Sequence, residues 1–263
     1  MAPGGSTPGV IVRLGTVDST QSVAFALAER GAADRTVVVA DQQLAGRGRR
    51  GRSWSAPAGT SLLASIIVRP RLPQALLPTL SLTTAVAVGE ALRRVAGVDA
   101  RLKWPNDVLV AGRKIAGILL ESRMTGASGG GGSTPTAPAM VTIIGVGINL
   151  GQREFPPDLA DSATSVALET GRAPSREAVL TAALEEFDVW RGRLEAEGFG
   201  PIREDWRRLS DKLGRRVTVE DVAGVAADLD TDGALLVDVG GSIKRVVAGM
   251  VSSGETIGTP VPR

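Results

Sequence analysis

Residues 40–54 read Ala-Asp-Gln-Gln-Leu-Ala-Gly-Arg-Gly-Arg-Arg-Gly-Arg-Ser-Trp, and this stretch decides how the rest is read. Arg47, Arg49, Arg50 and Arg52 fall within six residues, spaced by Gly46, Gly48 and Gly51. Guanidiniums this close repel one another, so the loop is hard to hold in place unless something anionic sits among them. Glycine lets backbone N–H groups come close to a ligand. Arginine offers planar forks of donors that suit phosphate and carboxylate. The loop is built to surround a polyanion.

Outward from the loop, Thr36 to Ala40 is a β-branched run that reads as a buried strand. Before it, Asp18-Ser19-Thr20 offers N-cap candidates for a helix with Val23, Ala24, Leu27 and Ala28 at helical spacing, stopped by Gly31. After it, Thr60 to Val68 reads as a strand and Pro78 to Val95 as a helix closed by Arg93, Arg94 and Gly97. Strand-like segments 101–104, 108–110 and 114–121 alternate with turns at 105–107 and 111–113. Low-complexity residues 125–139 separate them from a further strand at 140–150. Ser175 to Glu197 has the pattern of a long amphipathic helix. Around Gly214 the pattern turns to short alternating strands at 216–219, 225–229, 235–239 and 244–247. The expectation is an α+β chain: a flexible N-terminus over 1–14, a mixed-sheet domain with flanking helices over 15–212, and a small C-terminal β-barrel domain over 213–263.

Composition narrows the chemistry. Among 263 residues there is no Cys, His or Tyr, and the net charge is only +2. Thiolate nucleophiles, disulfides, imidazole bases and the usual zinc sites are excluded. What remains is Arg, Lys, Asp, Glu, amides, hydroxyls and a hard cation such as Mg²⁺. That set suits reactions governed by positioning and electrostatics, such as nucleotidyl transfer. No apolar run approaches the ~20 residues of a membrane helix, and a cytoplasmic location is expected.

Three more segments join the loop. Lys103-Trp104-Pro105-Asn106-Asp107 gathers a cation, an indole, an amide and a carboxylate at a strand end; Lys114-Ile115-Ala116-Gly117 sets a lone lysine at the head of an apolar strand; Gly145-Val146-Gly147-Ile148-Asn149 ends a strand on an amide. Each alone has an ordinary reading as a solvated run, a surface lysine, a turn or a strand ending. In order, Ser19-Thr20, GRGRRGRSW, KWPNDV, RKIAGILLE and GVGIN make the chain resemble the biotin protein ligases over about residues 15–250.

That resemblance implies a catalytic domain like that of class II aminoacyl-tRNA synthetases and a two-step reaction. Biotin and MgATP give biotinyl-5′-adenylate and pyrophosphate, and a lysine of biotin carboxyl carrier protein, within acetyl-CoA carboxylase or a related enzyme, then takes the biotinyl group. Carried over position by position, Ser19, Thr20, Gln21, Gln43, Arg47, Gly48, Arg49, Lys114 and Gly117 face biotin. Arg49, Arg50, Arg52, Trp54, Lys103, Asn106 and Asn149 face ATP or the adenylate. Arg47, Arg49, Lys114 and Asp107 carry catalysis, Asp107 by helping the incoming lysine lose its proton. Trp54 also reads as a loop-anchoring indole, Asp107 as a turn cap, and Asn149 as purely structural. Gln21 stands where the family usually has Asn, and the glycine-rich stretch 126–132 looks inserted. With so few residues before the catalytic domain, a ligase without operator binding is expected, with a homodimer open. The rivals are a lipoate or octanoate ligase or transferase, and an RNA-binding module using the Arg/Gly loop.

Overall fold

The computed structural model describes residues 9–125 and 139–253. Most of the low-complexity stretch, including 126–132, and the last residues of the chain lie outside them. A seven-stranded sheet in the order β1-β2-β3-β7-β6-β5-β4 forms the larger layer. Its strands are β1 (Ile11–Val17), β2 (Val37–Gln43), β3 (Ser61–Val68), β4 (Arg101–Lys103), β5 (Asp107–Val110), β6 (Arg113–Thr125) and β7 (Ala139–Asn149). Only β1 and β2 run parallel; the other neighbours are antiparallel.

The two faces of this sheet differ, and that difference makes the site. On one face pack α2 (Thr79–Ala96), α4 (Arg176–Glu197) and α5 (Gly200–Leu209). They bury Leu62, Ala64, Ile66, Ile118, Ile144, Val146 and Ile148 in one large core. The other face is covered only in part, by α1 (Thr20–Glu29), whose Ala24, Phe25 and Ala28 pack on Val38, Ile67, Val141 and Ile143. Successive strand residues point to opposite faces. Beyond α1 the same face therefore presents Ser65, Gly145, Gly147 and Gly117, where small residues leave room above the sheet.

A second, antiparallel sheet follows in the order β11-β10-β9-β8-β12. It comprises β8 (Arg216–Val219), β9 (Val222–Leu229), β10 (Leu235–Val239), β11 (Ser242–Val246) and β12 (Val251–Ser253). Its end strands β11 and β12 do not pair with each other among the described residues, so the expected barrel is an open sheet here. Ion pairs from Arg203 and Arg207 on α5 to Asp228 on β9 tie the two layers together. The Arg207 bond first, then the Leu229 amide and Arg203, hold the Asp228 carboxyl down at about 2 against burial. Trp104 Nε1 adds a buried bond of 2.9 Å to the Gly233 carbonyl.

Two differences from the sequence reading stand out. Residues 11–14, expected as part of a flexible N-terminus, belong to β1, a half-exposed edge strand held by main-chain pairing to β2. Its side chains alternate only weakly in burial, which removes the usual signal. The short helices α3 (Val166–Thr170) and α5 had not been anticipated.

Candidate active site

Lateral rows of residues across the sheet place the site. One row runs Ser65, Gly145, Leu119, and the next runs Gly147, Gly117, Asp107, Lys103, each neighbour a cross-strand partner. Above the first row lies Gln21, whose Nε2 donates to the Leu119 and Ile143 carbonyls at 3.3 Å each. A Cβ on Gly145 would meet Gln21 Oε1 at 2.7 Å, so the glycine is what admits the side chain.

The Gln21 amide oxygen accepts from Ser65 Oγ at 3.1 Å. Ser65 touches Thr20 Oγ1 at 2.8 Å, and Thr20 binds Gln43 Oε1 through its hydroxyl at 3.0 Å and its amide at 2.8 Å. Thr20, Gln21 and Ser65 are all buried. Two hydroxyl protons can fill only two of these three contacts at a time, so the hydroxyls can exchange partners when a guest binds. Ser19 is the N-cap of α1, but its hydroxyl does not cap the helix. Buried at 3 % exposure, Ser19 Oγ has no hydrogen-bond partner among the described residues.

Trp54 lies flat over the second row. A Cβ on Gly147 would stand 2.5 Å from its ring, and one on Gly117 3.1 Å. Lys114 Nζ sits 5.6 Å from the ring centroid and pairs with Asp107 Oδ1 at 2.6 Å. The base of Lys114 is fixed from the main chain, since Lys114 N donates to the Ser162 carbonyl and Thr164 N donates to the Lys114 carbonyl.

The Arg/Gly loop closes as a hairpin. Trp54 N donates to the Gly46 carbonyl at 2.9 Å and Gly48 N to the Arg52 carbonyl at 2.7 Å. A Cβ on Gly46 would lie 2.2 Å from the Trp54 oxygen, so only glycine fits. Each of three arginines has an oxygen partner: Arg47 with Glu121 at 3.0 Å, Arg49 with Asn106 Oδ1 at 3.0 Å, and Arg50 with Glu220 at 2.5 Å. Arg52 is exposed. Burial, then the neighbouring Arg50, pulls the Arg49 guanidinium below its ordinary value, with Asp107 acting the other way. Below the loop opens a cleft of about 570 Å³ bounded also by Leu119 and Glu121.

The expected residues therefore converge, with one qualification. Asn149 is buried and its amide is engaged on both ends, donating to the Thr164 carbonyl and accepting from Gln152. Thr164 also bonds the main chain of Lys114, so Asn149 is linked through it to the base of that lysine. Sequence reasoning passed over Ser65 and Glu121. A lone hydroxyl in the otherwise apolar centre of β3 was a readable sign of the first; Glu121 closes the RKIAGILLE motif but carried no charge partner in sequence.

Residues 14–149 match the biotin/lipoate A/B protein ligase family. A biotin–[acetyl-CoA-carboxylase] ligase of Paracoccus denitrificans is 37% identical over 232 residues, covering 85% of this chain and 92% of that protein. The chain belongs to the biotin protein ligase family. Residues 212–254 match the C-terminal domain of biotin protein ligases. A biotin–[acetyl-CoA-carboxylase] ligase of Mycobacterium tuberculosis is 36% identical over 248 residues, covering 89% of this chain and 85% of that one. Among solved structures, a biotin protein ligase from Aquifex aeolicus in complex with biotin and ATP superposes with a TM-score of 0.78 at 30% identity, covering 92% of this chain and 97% of that one. Within this family fold the Arg/Gly loop forms one wall of a site over the sheet, not a free basic arm.

Proposed function

We propose that this chain ligates biotin to a lysine of biotin carboxyl carrier protein through biotinyl-5′-adenylate. The observation that carries the reading is the convergence of Lys114, Asp107, Arg49 and Trp54 on the glycine floor beside a buried hydroxyl–amide pocket. The pocket of Ser19, Thr20, Gln21, Gln43 and Ser65 offers neutral donors and acceptors, which suits a ureido ring with one carbonyl and two N–H groups.

Adenylation brings a carboxylate against a triphosphate, and their repulsion is a large part of the barrier. Lys114, next to Asp107 and within reach of Trp54, meets both reacting anions. Its charge stabilises the transition state more than either separated substrate. Arg47, Arg49 and the Gly48 backbone neutralise charge on the α-phosphate from above. Trp54 offers its outer ring face to adenine while its inner face rests on Gly117 and Gly147. Arg50, Arg52, Lys103 and Asn106 complete the nucleotide side, Asn106 by holding Arg49. In the second step Asp107 takes the proton of the incoming lysine, whose amine attacks the biotinyl carbonyl and expels AMP.

Mg²⁺ would be held by the oxygens of the triphosphate and would offset part of its charge beside Lys114 and Arg49. The same proposal divides the chain into a catalytic unit over 15–212 and a C-terminal unit from 213. It places the enzyme in the cytoplasm, where ATP and carrier meet, and no helix among the described residues is long and apolar enough to cross a membrane. Near-neutral net charge supports action without operator binding. The open edge of β1 is where a second copy would extend the sheet into a homodimer. Pyrophosphate–ATP exchange with Mg²⁺ tests the central claim: it should depend on biotin, and exchange driven by lipoate or octanoate would overturn it.

A further inference from the structure

Glu121 stands where a site for anions should hold no acid. It follows Gly117 and Leu119 on the same face of β6, in the lateral row of Ile143. The cleft of about 570 Å³ beneath the Arg/Gly loop is lined by Arg47, Arg49, Arg50 and Arg52, and among the described residues around it Glu121 is the one acid. A carboxylate there repels the anions that the loop is made to receive.

Arg47 supplies a reason for it. Its Nη2 donates to Glu121 Oε2 at 3.0 Å, while its Nε lies buried outside any hydrogen bond among the described residues. The Nε and Nη2 groups form one edge of the guanidinium, an edge that can bind a carboxylate with two parallel bonds. Glu121 uses half of it. The pair is also loosely held, with side chains 36% and 33% exposed, where an ion pair contributes little. It lies away from the reacting atoms as well. Lys114 Nζ stands over Gly117, 2.9 Å from where a Cβ would be. A strand rises about 3.3 Å per residue, so Glu121 is about 13 Å along β6 from that glycine.

We propose that Glu121 is a stand-in for the substrate carboxylate: it holds Arg47 in the free protein and is displaced when the carboxylate of biotin takes the guanidinium. The inference rests on the biotin site proposed above and deepens it. Glu121 is a positioning residue that acts through Arg47. Its carboxylate keeps one of four clustered cations in place before substrate arrives, at the expense of some affinity for the acid. Once on the biotin carboxylate, Arg47 lies where the α-phosphate next arrives.

The test titrates the full chain calorimetrically with biotin and with biotinamide, which keeps the ureido ring and lacks the carboxylate. Glu121→Gln keeps the shape and removes the charge. Biotin should then bind about two- to fivefold more tightly, the scale of a part-exposed ion pair, and biotinamide should bind as it does to the parent. In an Arg47→Ala background the same substitution should bring no gain, because the two residues act as one unit. A gain that persists without Arg47, or that biotinamide shares, is plain repulsion or repacking and overturns the stand-in. Biotin binding to Glu121→Gln no tighter than to the parent overturns it too. Failure of the underlying reading looks different: a parent that binds no biotin overturns the site and the stand-in together, and one that binds biotin without biotin-dependent pyrophosphate exchange overturns adenylation alone.

Discussion

The wall of the site made by α1, β2 and β3 holds its polar groups in neutral hydrogen bonds, whereas the wall made by the Arg/Gly loop and strands β4 to β6 holds its groups in ion pairs. In the first, Thr20 and Gln21 are 3% exposed and Ser65 fully buried, bonded to one another and to strand carbonyls. In the second, Arg47 and Glu121 remain 36% and 33% exposed, and Arg50 and Glu220 45% and 46%. Burying neutral groups costs little where they have partners, so Thr20, Gln21 and Ser65 are set by folding alone, and only the Ser19 hydroxyl is left without one among the described residues. Burying charges is expensive, so the other wall stays near the surface with partners that an incoming anion replaces. Recognition of an uncharged ring and neutralisation of two anions thus fall to different materials.

Lys114→Ala should break the charged wall at its centre. Adenylation should fall by about 10²–10³-fold, the usual loss for one preorganised electrostatic group, while the fold persists; near-normal pyrophosphate exchange would remove Lys114 from the chemistry. The neutral wall should respond in stability as well as affinity. Ser65→Ala takes away the hydroxyl that serves Gln21 Oε1 and should cost about 2 kcal/mol. Denaturant unfolding together with biotin titration checks both effects, and unchanged values in each would show that the network is not needed.

Smaller effects sharpen the contrast. Arg49→Ala should release the adenylate about tenfold faster, equivalent to ~1.4 kcal/mol, measured by trapping released intermediate. Rising salt should have a parallel effect in the parent, because exposed charges are screened. Release that ignores both changes would mean that the loop does not hold the intermediate. Arg50→Ala removes only the half-exposed pair with Glu220 and should shift stability by less than about 1 kcal/mol. A larger loss would make that pair a structural clamp between the loop and the second sheet.

The sequence carried the catalytic elements because each is local. The β-branched run before the loop, the Pro-Asn-Asp turn and the late arginines and Gly97 of α2 all act on near neighbours, and these elements formed within a few residues of where they were read, as did the helix after Ser19, whose hydroxyl does not cap it. Elements with weak local signals were missed. β1 exists because main-chain pairing to β2 offsets its exposed side chains. α5 is short, and Trp206, Ile202 and Leu209 acquire meaning only when packed against other helices. The repulsion within the Arg/Gly loop suggested a segment without fixed structure. Glu121, Asn106 and Glu220, remote in the chain, supply the oxygens that hold it.

From the sequence alone came a chemistry of charge neutralisation, because the absence of Cys and His limits which protons can be moved, and the reaction class came from the resemblance of its ordered motifs to the biotin protein ligases. Tertiary structure alone decided that glycines 117, 145 and 147 share one face of the sheet, beneath Gln21 and Trp54, and that Gln21 reaches Ser65. Those relations depend on strand register, which is set by many weak pairings summed over the sheet, and no single stretch of the chain contains them.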